Sequence, residues 1–191
     1  MKMKINILTL VILLSGIFTT SCQEPAKKNS GSIETGNQIT QEEVMAAQKS
    51  WGEAIVSIGN AYTNNEDYNL TAANVVNSLY GYDQGVVLFK PTKASEDPFR
   101  LTKEEALSYF VTGVVPEDHG FALQPWSNVR FENAGVIIAG NTATAMGNYY
   151  FTDAKSGDEA MVEYTFGYFK DEDGKLRINV HHSSLPYSPA H

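Results

Sequence analysis

The chain has 191 residues, a one-domain length, with 42% hydrophobic and 19% charged residues and a formal charge of −8. That acidic balance excludes a surface built for nucleic-acid phosphates. A single cysteine excludes an internal disulfide and a cysteine-based zinc centre.

The first residues are not part of the fold. Lys2 and Lys4 precede an apolar run from Ile5 to Phe18, and small residues then lead to Cys22. This is the layout of a secretory signal, too short and wrongly flanked for a spanning helix. It resembles a bacterial lipoprotein signal, which implies removal of residues 1–21 and lipidation of Cys22. From there to about residue 39 the chain is poor in large apolar side chains and reads as a flexible tether. The expectation is an exported, membrane-anchored lipoprotein facing the periplasm or cell exterior, touching membrane only through the lipid on Cys22.

A folded domain is predicted over 40–191. Thr40-Gln-Glu-Glu43 is a capping box, and Val44, Ala47, Trp51, Ile55, Ile58 and Tyr62 follow at helical spacing, predicting a helix to about Asn64. A shorter helix is predicted from Leu70 to Leu79 and a buried strand over Gly85–Phe89. A second capping box, Thr102-Lys-Glu-Glu105, opens a helix through Leu107 and Phe110. After Pro116 the pattern becomes that of strands: two long ones around a Gly140-Asn141 turn, then a hairpin turning at Asp173-Gly174. Helices followed by an antiparallel meander give an α+β class. A strongly curved sheet around the N-terminal helix makes a cone with a cavity. Tyr and Phe at both strand parities predict that both sheet faces are covered, one by helices and one by a second subunit.

The last strand carries the candidate chemistry. Counting back by twos from Ser184 gives His182, Val180, Ile178 and Leu176, an apolar set assigned to the core face. Ser183, His181, Asn179, Arg177 and Lys175 then face outward. On this reading His182 and Ser184 point inward together, as a proton acceptor beside an orienting hydroxyl or as hydrogen-bonded core residues. No G-x-S-x-G elbow marks a nucleophilic serine. His119, His181, His182 and His191 have no metal-ligand spacing.

"GVVLFKPT" (85–92), "LSYF" (107–110), "FENAG" (131–135), "VEYTFGY" (162–168) and "HHSSLPY" (181–187) resemble the iota class of carbonic anhydrases, a SnoaL-like cone-shaped α+β family. The resemblance spans Thr40 to Tyr187. It implies reversible hydration of CO₂, in some members without metal and in others described as zinc- or manganese-dependent. The positions it matches are Thr92, Tyr109, His182 and Ser184 as the catalytic set, with no cofactor and a homodimer as the assembly. Phe89, Phe110, Trp126, Tyr149 and Phe166 are candidates for apolar walls. Two other functions fit a SnoaL-like cone: an isomerase or cyclase acting on an apolar substrate, and a non-catalytic ligand-binding lipoprotein.

Overall fold

Both capping boxes form. Thr40 N–H donates to Glu43 Oε2 at 2.8 Å while Glu43 N–H donates to Thr40 Oγ1 at 3.2 Å, opening α1 (Gln41–Thr63). Thr102 and Glu105 exchange the same pair of bonds at the start of α3 (Lys103–Val111). Between them α2 (Tyr68–Leu79) begins two residues before the predicted start, because the Asp67 side chain caps it by accepting from Leu70 N–H. These features come from a computed structural model that describes residues 38–189. The signal segment 1–21, the lipidation candidate Cys22, most of the tether and His191 lie outside the described residues. Among the described residues no helix is long and apolar enough to cross a membrane.

Five strands make one sheet: β1 (Leu88–Lys90), β2 (Trp126–Ala139), β3 (Thr142–Asp153), β4 (Glu159–Lys170) and β5 (Leu176–Ser184). Their order is β1-β5-β4-β3-β2, antiparallel except for the parallel pair of β1 and β5. The predicted strand 85–89 is shorter and later than expected, since Val86 is exposed and pairing begins only at Leu88. Ile39, read as the end of the tether, is already buried and donates its N–H to Gly140 O at 2.9 Å.

The sheet curls around α1, whose apolar stripe (Val44, Trp51, Ile55, Ile58) is buried in its hollow. Trp51 is the centre of that core, with Phe131, Tyr149, Phe151 and Phe166 rings packed 5.6–6.2 Å away. The inner face is closed by the helices. The outer face leaves Ile137, Met146 and Met161 exposed.

The predicted alternation of β5 fails at one residue. Tyr168 pairs with Ile178, but the adjacent Gly167 pairs with Val180, so Asn179 is an extra, unpaired residue. Such a bulge reverses which face every later side chain takes. Ile178 is inward as expected; beyond the bulge His181 and Ser183 are inward, each 2% exposed. His182 and Ser184, assigned to the core face from the sequence, point outward, His182 exposed and Ser184 partly so. Arg177 is also buried rather than outward, held by Asp171 and Asp83 and by the carbonyls of Asn77 and Tyr80.

Two glycines make the bulges possible. A Cβ on Gly167 would lie 2.7 Å from Asn179 Oδ1 and 2.9 Å from Val180 Cβ. Gly147 sits against a second bulge, at Asn133/Gly135 of β2, where a Cβ would meet Glu132 O at 2.1 Å.

Candidate active site

His181 lies between two aromatic faces, Phe89 at 4.5 Å and Phe166 at 4.2 Å between centroids, with the edge of Trp51 closing a third side. Three elements build this box. β1 brings Phe89 beside His181 in parallel register, β4 brings Phe166 opposite it, and α1 places Trp51. Burial, with a smaller push from neighbouring His182, drives the His181 pKa well below the ordinary imidazole value. The ring is therefore neutral in the native protein at neutral pH.

Both ring nitrogens are hydrogen-bonded. Nδ1 is 2.8 Å from the Tyr80 hydroxyl, which also accepts from Trp51 Nε1–H at 2.9 Å. Nε2 is 3.1 Å from Ser183 Oγ. Ser183 Oγ shares a short hydrogen bond with the Tyr149 hydroxyl. Thr92 lies close to both the Tyr149 and the Tyr109 hydroxyls, and Lys93 N–H donates to the Tyr109 oxygen at 3.4 Å. The bulge gives up about one ladder bond, worth ~0.5–1.5 kcal/mol net. The two ring-nitrogen bonds offset that loss.

The result is a polar line through an aromatic interior, hydrogen-bonded from Trp51 and Tyr80 through His181 and Ser183 to Tyr149, with Thr92 and Tyr109 beside its end. Burial raises the pKa of Tyr80, Tyr109 and Tyr149, so all three rest as neutral phenols. Every member from Ser183 to Tyr109 is a hydroxyl that can both donate and accept. Tyr109 is also where the line ends, at a surface cavity of about 380 Å³.

Of the residues predicted from the sequence, Thr92 and Tyr109 stand in this line. His182 and Ser184 do not: they border a separate groove on the outer sheet face, where Ser184 Oγ donates to Glu163 Oε2 at 3.2 Å. Tyr149, read as an apolar wall, supplies a hydroxyl instead. Tyr80, Trp51, His181 and Ser183 were not among the predicted site residues. The sequence carried one usable signal for the last two, the glycine at 167 inside an aromatic strand, since such a glycine marks a bulge or a close backbone approach.

Residues 42–185 match a family model described as metal-independent carbonic anhydrase. The chain belongs to the metal-independent carbonic anhydrases. A curated family member from Nostoc sp., a metal-independent carbonic anhydrase, is 50% identical over 154 residues, covering 78% of this chain and 75% of that protein. An iota-carbonic anhydrase from a cyanobacterium, crystallised with bicarbonate, superposes with a TM-score of 0.77 at 48% identity, over 80% of this chain and 96% of that one. A more remote NTF2-like protein of cystatin-like fold from Novosphingobium aromaticivorans (TM-score 0.51, 14% identity, 78% of this chain and 83% of that one) shares the fold alone. Among the described residues, no three His, Cys, Asp or Glu side chains come together as a metal-holding group.

Proposed function

We propose that this protein is a carbonate dehydratase that interconverts CO₂ and bicarbonate with His181, Ser183, Tyr149, Thr92 and Tyr109 as its working groups. The observation that carries the residue assignment is the inward, doubly hydrogen-bonded His181 at the head of a hydroxyl line, in a chain whose relatives carry this activity. A similar protein crystallised with bicarbonate supports the choice of substrate.

The chemistry asks for few groups. A water oxygen bonds to the carbon of CO₂, one water O–H breaks, and bicarbonate leaves while the proton goes to the protein. With the Nδ1 proton directed at the Tyr80 oxygen, Nε2 draws that proton through Ser183. Hydroxyls of Thr92, Tyr109 and Tyr149 orient the water and stabilise charge growing on the substrate oxygens. The aromatic rings stacked on both faces of His181 keep water off the imidazole and leave only its two nitrogens for hydrogen bonding.

The test is stopped-flow CO₂ hydration with a strong chelator present. His181→Gln and Ser183→Ala are expected to lose most activity, within the ~10²–10⁴-fold typical of general acid–base help, while His182→Ala and Ser184→Ala keep it. Wild-type rates in His181→Gln, or loss confined to His182→Ala, would overturn the assignment. Activity abolished by the chelator and restored by zinc or manganese would keep the reaction and overturn its metal-free form.

Two features of assembly belong to the same reading. The exposed Ile137, Met146 and Met161 on the outer sheet face support a homodimer built on that face. The signal segment supports an exported lipoprotein anchored at Cys22. Metabolic labelling with palmitate should mark the wild type and not Cys22→Ser; equal labelling would sink the anchor.

A further inference from the structure

Each CO₂ hydrated releases one proton, and His181 is too deeply buried to hand it to a buffer. We infer that His119 is the proton-transfer residue that exchanges this proton with solvent, fed by the hydroxyl line Ser183–Tyr149–Thr92–Tyr109. The inference rests on the reading of the chain as a CO₂ hydratase centred on His181.

The first support is continuity. His181 Nε2, Ser183 and Tyr149 are joined hydrogen bond by hydrogen bond, and Thr92 lies beside both the Tyr149 and the Tyr109 hydroxyls. A proton arriving at the inner end can shift each O–H in turn and, once the Thr92 hydroxyl turns between the two phenols, free another at Tyr109. The buried phenols need not ionise at rest for this; they pass a proton and store none.

The second support is where the line emerges. Tyr109 lines a cavity shared with Lys93, Glu117, Asp118, His119 and Gln124. Three of the charged groups there are already engaged. Asp118 pairs with buried Arg100, Oδ1 to Nη2 at 2.7 Å. Glu117 accepts from the backbone N–H groups of Ser95, Glu96 and Asp97, and these bonds hold its pKa down to about 2. Lys93 Nζ lies 3.5 Å from Gln124 Oε1 and 6.0 Å from the Phe121 ring centroid. A carboxylate so strongly stabilised as an anion is a poor proton acceptor near neutrality. Imidazole is the side chain suited to that exchange.

The third support is that His119 is exposed on a backbone fixed at both neighbours. Its predecessor Asp118 is fixed by Arg100. Its successor Gly120 is buried at φ +75°, with Leu123 Cδ1 only 2.7 Å from where a Cβ would sit. This backbone places His119 among the residues lining the cavity that Tyr109 also lines. The proton balance is complete: water loses it to Ser183 and His181, the line delivers it to Tyr109, and His119 takes it across the cavity and gives it to a buffer base.

The experiment compares full-length wild type with His119→Ala and His119→Gln in CO₂ hydration, in dilute and in concentrated buffer. In dilute buffer kcat of both variants should fall roughly tenfold, a barrier increment of about 1.4 kcal/mol. Their kcat/KM should stay unchanged, and added imidazole should restore kcat. An unchanged kcat in dilute buffer would overturn the relay, as would a loss that appears equally in kcat/KM and resists imidazole. An inactive wild type would overturn the hydratase reading and the relay with it. An active wild type with a His119 indifferent to buffer would remove the relay alone.

Discussion

Neither nitrogen of His181 meets solvent, and that sets how the protein responds to acid. The native ring resists protonation because burial disfavours the cation. In the unfolded chain the same ring titrates near the ordinary value of about 6.5. Below that pH the unfolded state binds a proton that the native state refuses, so the stability present above it is lost as pH falls. Urea midpoints measured at about pH 7.5 and about pH 5 should separate more for wild type than for His181→Gln. Equal separations would show that the carboxylates alone govern the acid response. Thr92 and Tyr109 were legible at this scale from motif resemblance, whereas Tyr80 had no sequence signal. It ends α2 as the cap residue and becomes a ligand to His181 only because that helix docks against β5.

The elements themselves were read well wherever the signal is local. Two capping boxes, a helical apolar stripe and two turn glycines each act within a few residues, and α1, α3 and the β2–β3 and β4–β5 hairpins appear where those signals lie. The β5 bulge is not local in this sense. It depends on β4 supplying a residue without a side chain opposite the extra Asn179. Gly167→Val would place branched carbon where a Cβ is already 2.7 Å from Asn179 Oδ1. It should cost ~1–3 kcal/mol, as overpacking does, and lower activity by disturbing the register of His181. A variant with wild-type urea midpoint and rate would show that the bulge does not need this glycine. The loop before α3 shows a similar dependence on distant partners. Arg100, fully buried, holds Asp118 from across the fold, and Glu117 collects three amides of residues 95–97. That clamp steadies the segment carrying Thr92 and Lys93.

For the whole molecule, the inner face of the sheet is committed to α1 and the site, while its outer face leaves apolar side chains exposed. Ile137 (72% exposed), Met146 (57%) and Met161 (39%) lie there, beside the groove bordered by His182 and Glu163. Sedimentation of the wild type should give twice the 21.0 kDa chain mass before any processing, and Met146→Glu should shift it toward the monomer. A monomeric wild type would remove the homodimer. A dimer untouched by Met146→Glu would move its interface elsewhere. On this arrangement His182 and Ser184, which the sequence placed in the catalytic set, serve the outer surface.

The sequence by itself determined the α+β class, the order of helices and strands and the family, and it nominated two of the five proposed working residues. Those follow from short-range physics, in capping, periodicity and turns, and from motifs that survive as contiguous strings. Only the tertiary structure decided which histidine and which serine face inward. The apolar residues Leu176, Ile178 and Val180 suggest an unbroken strand, and one unpaired residue, Asn179, reverses everything after it. Whether a strand bulges is settled by its neighbour's glycine and by the hydrogen-bonding partners waiting inside, and those lie far away in the chain. His181 meets Tyr80 across 101 positions and Ser183 meets Tyr149 across 34.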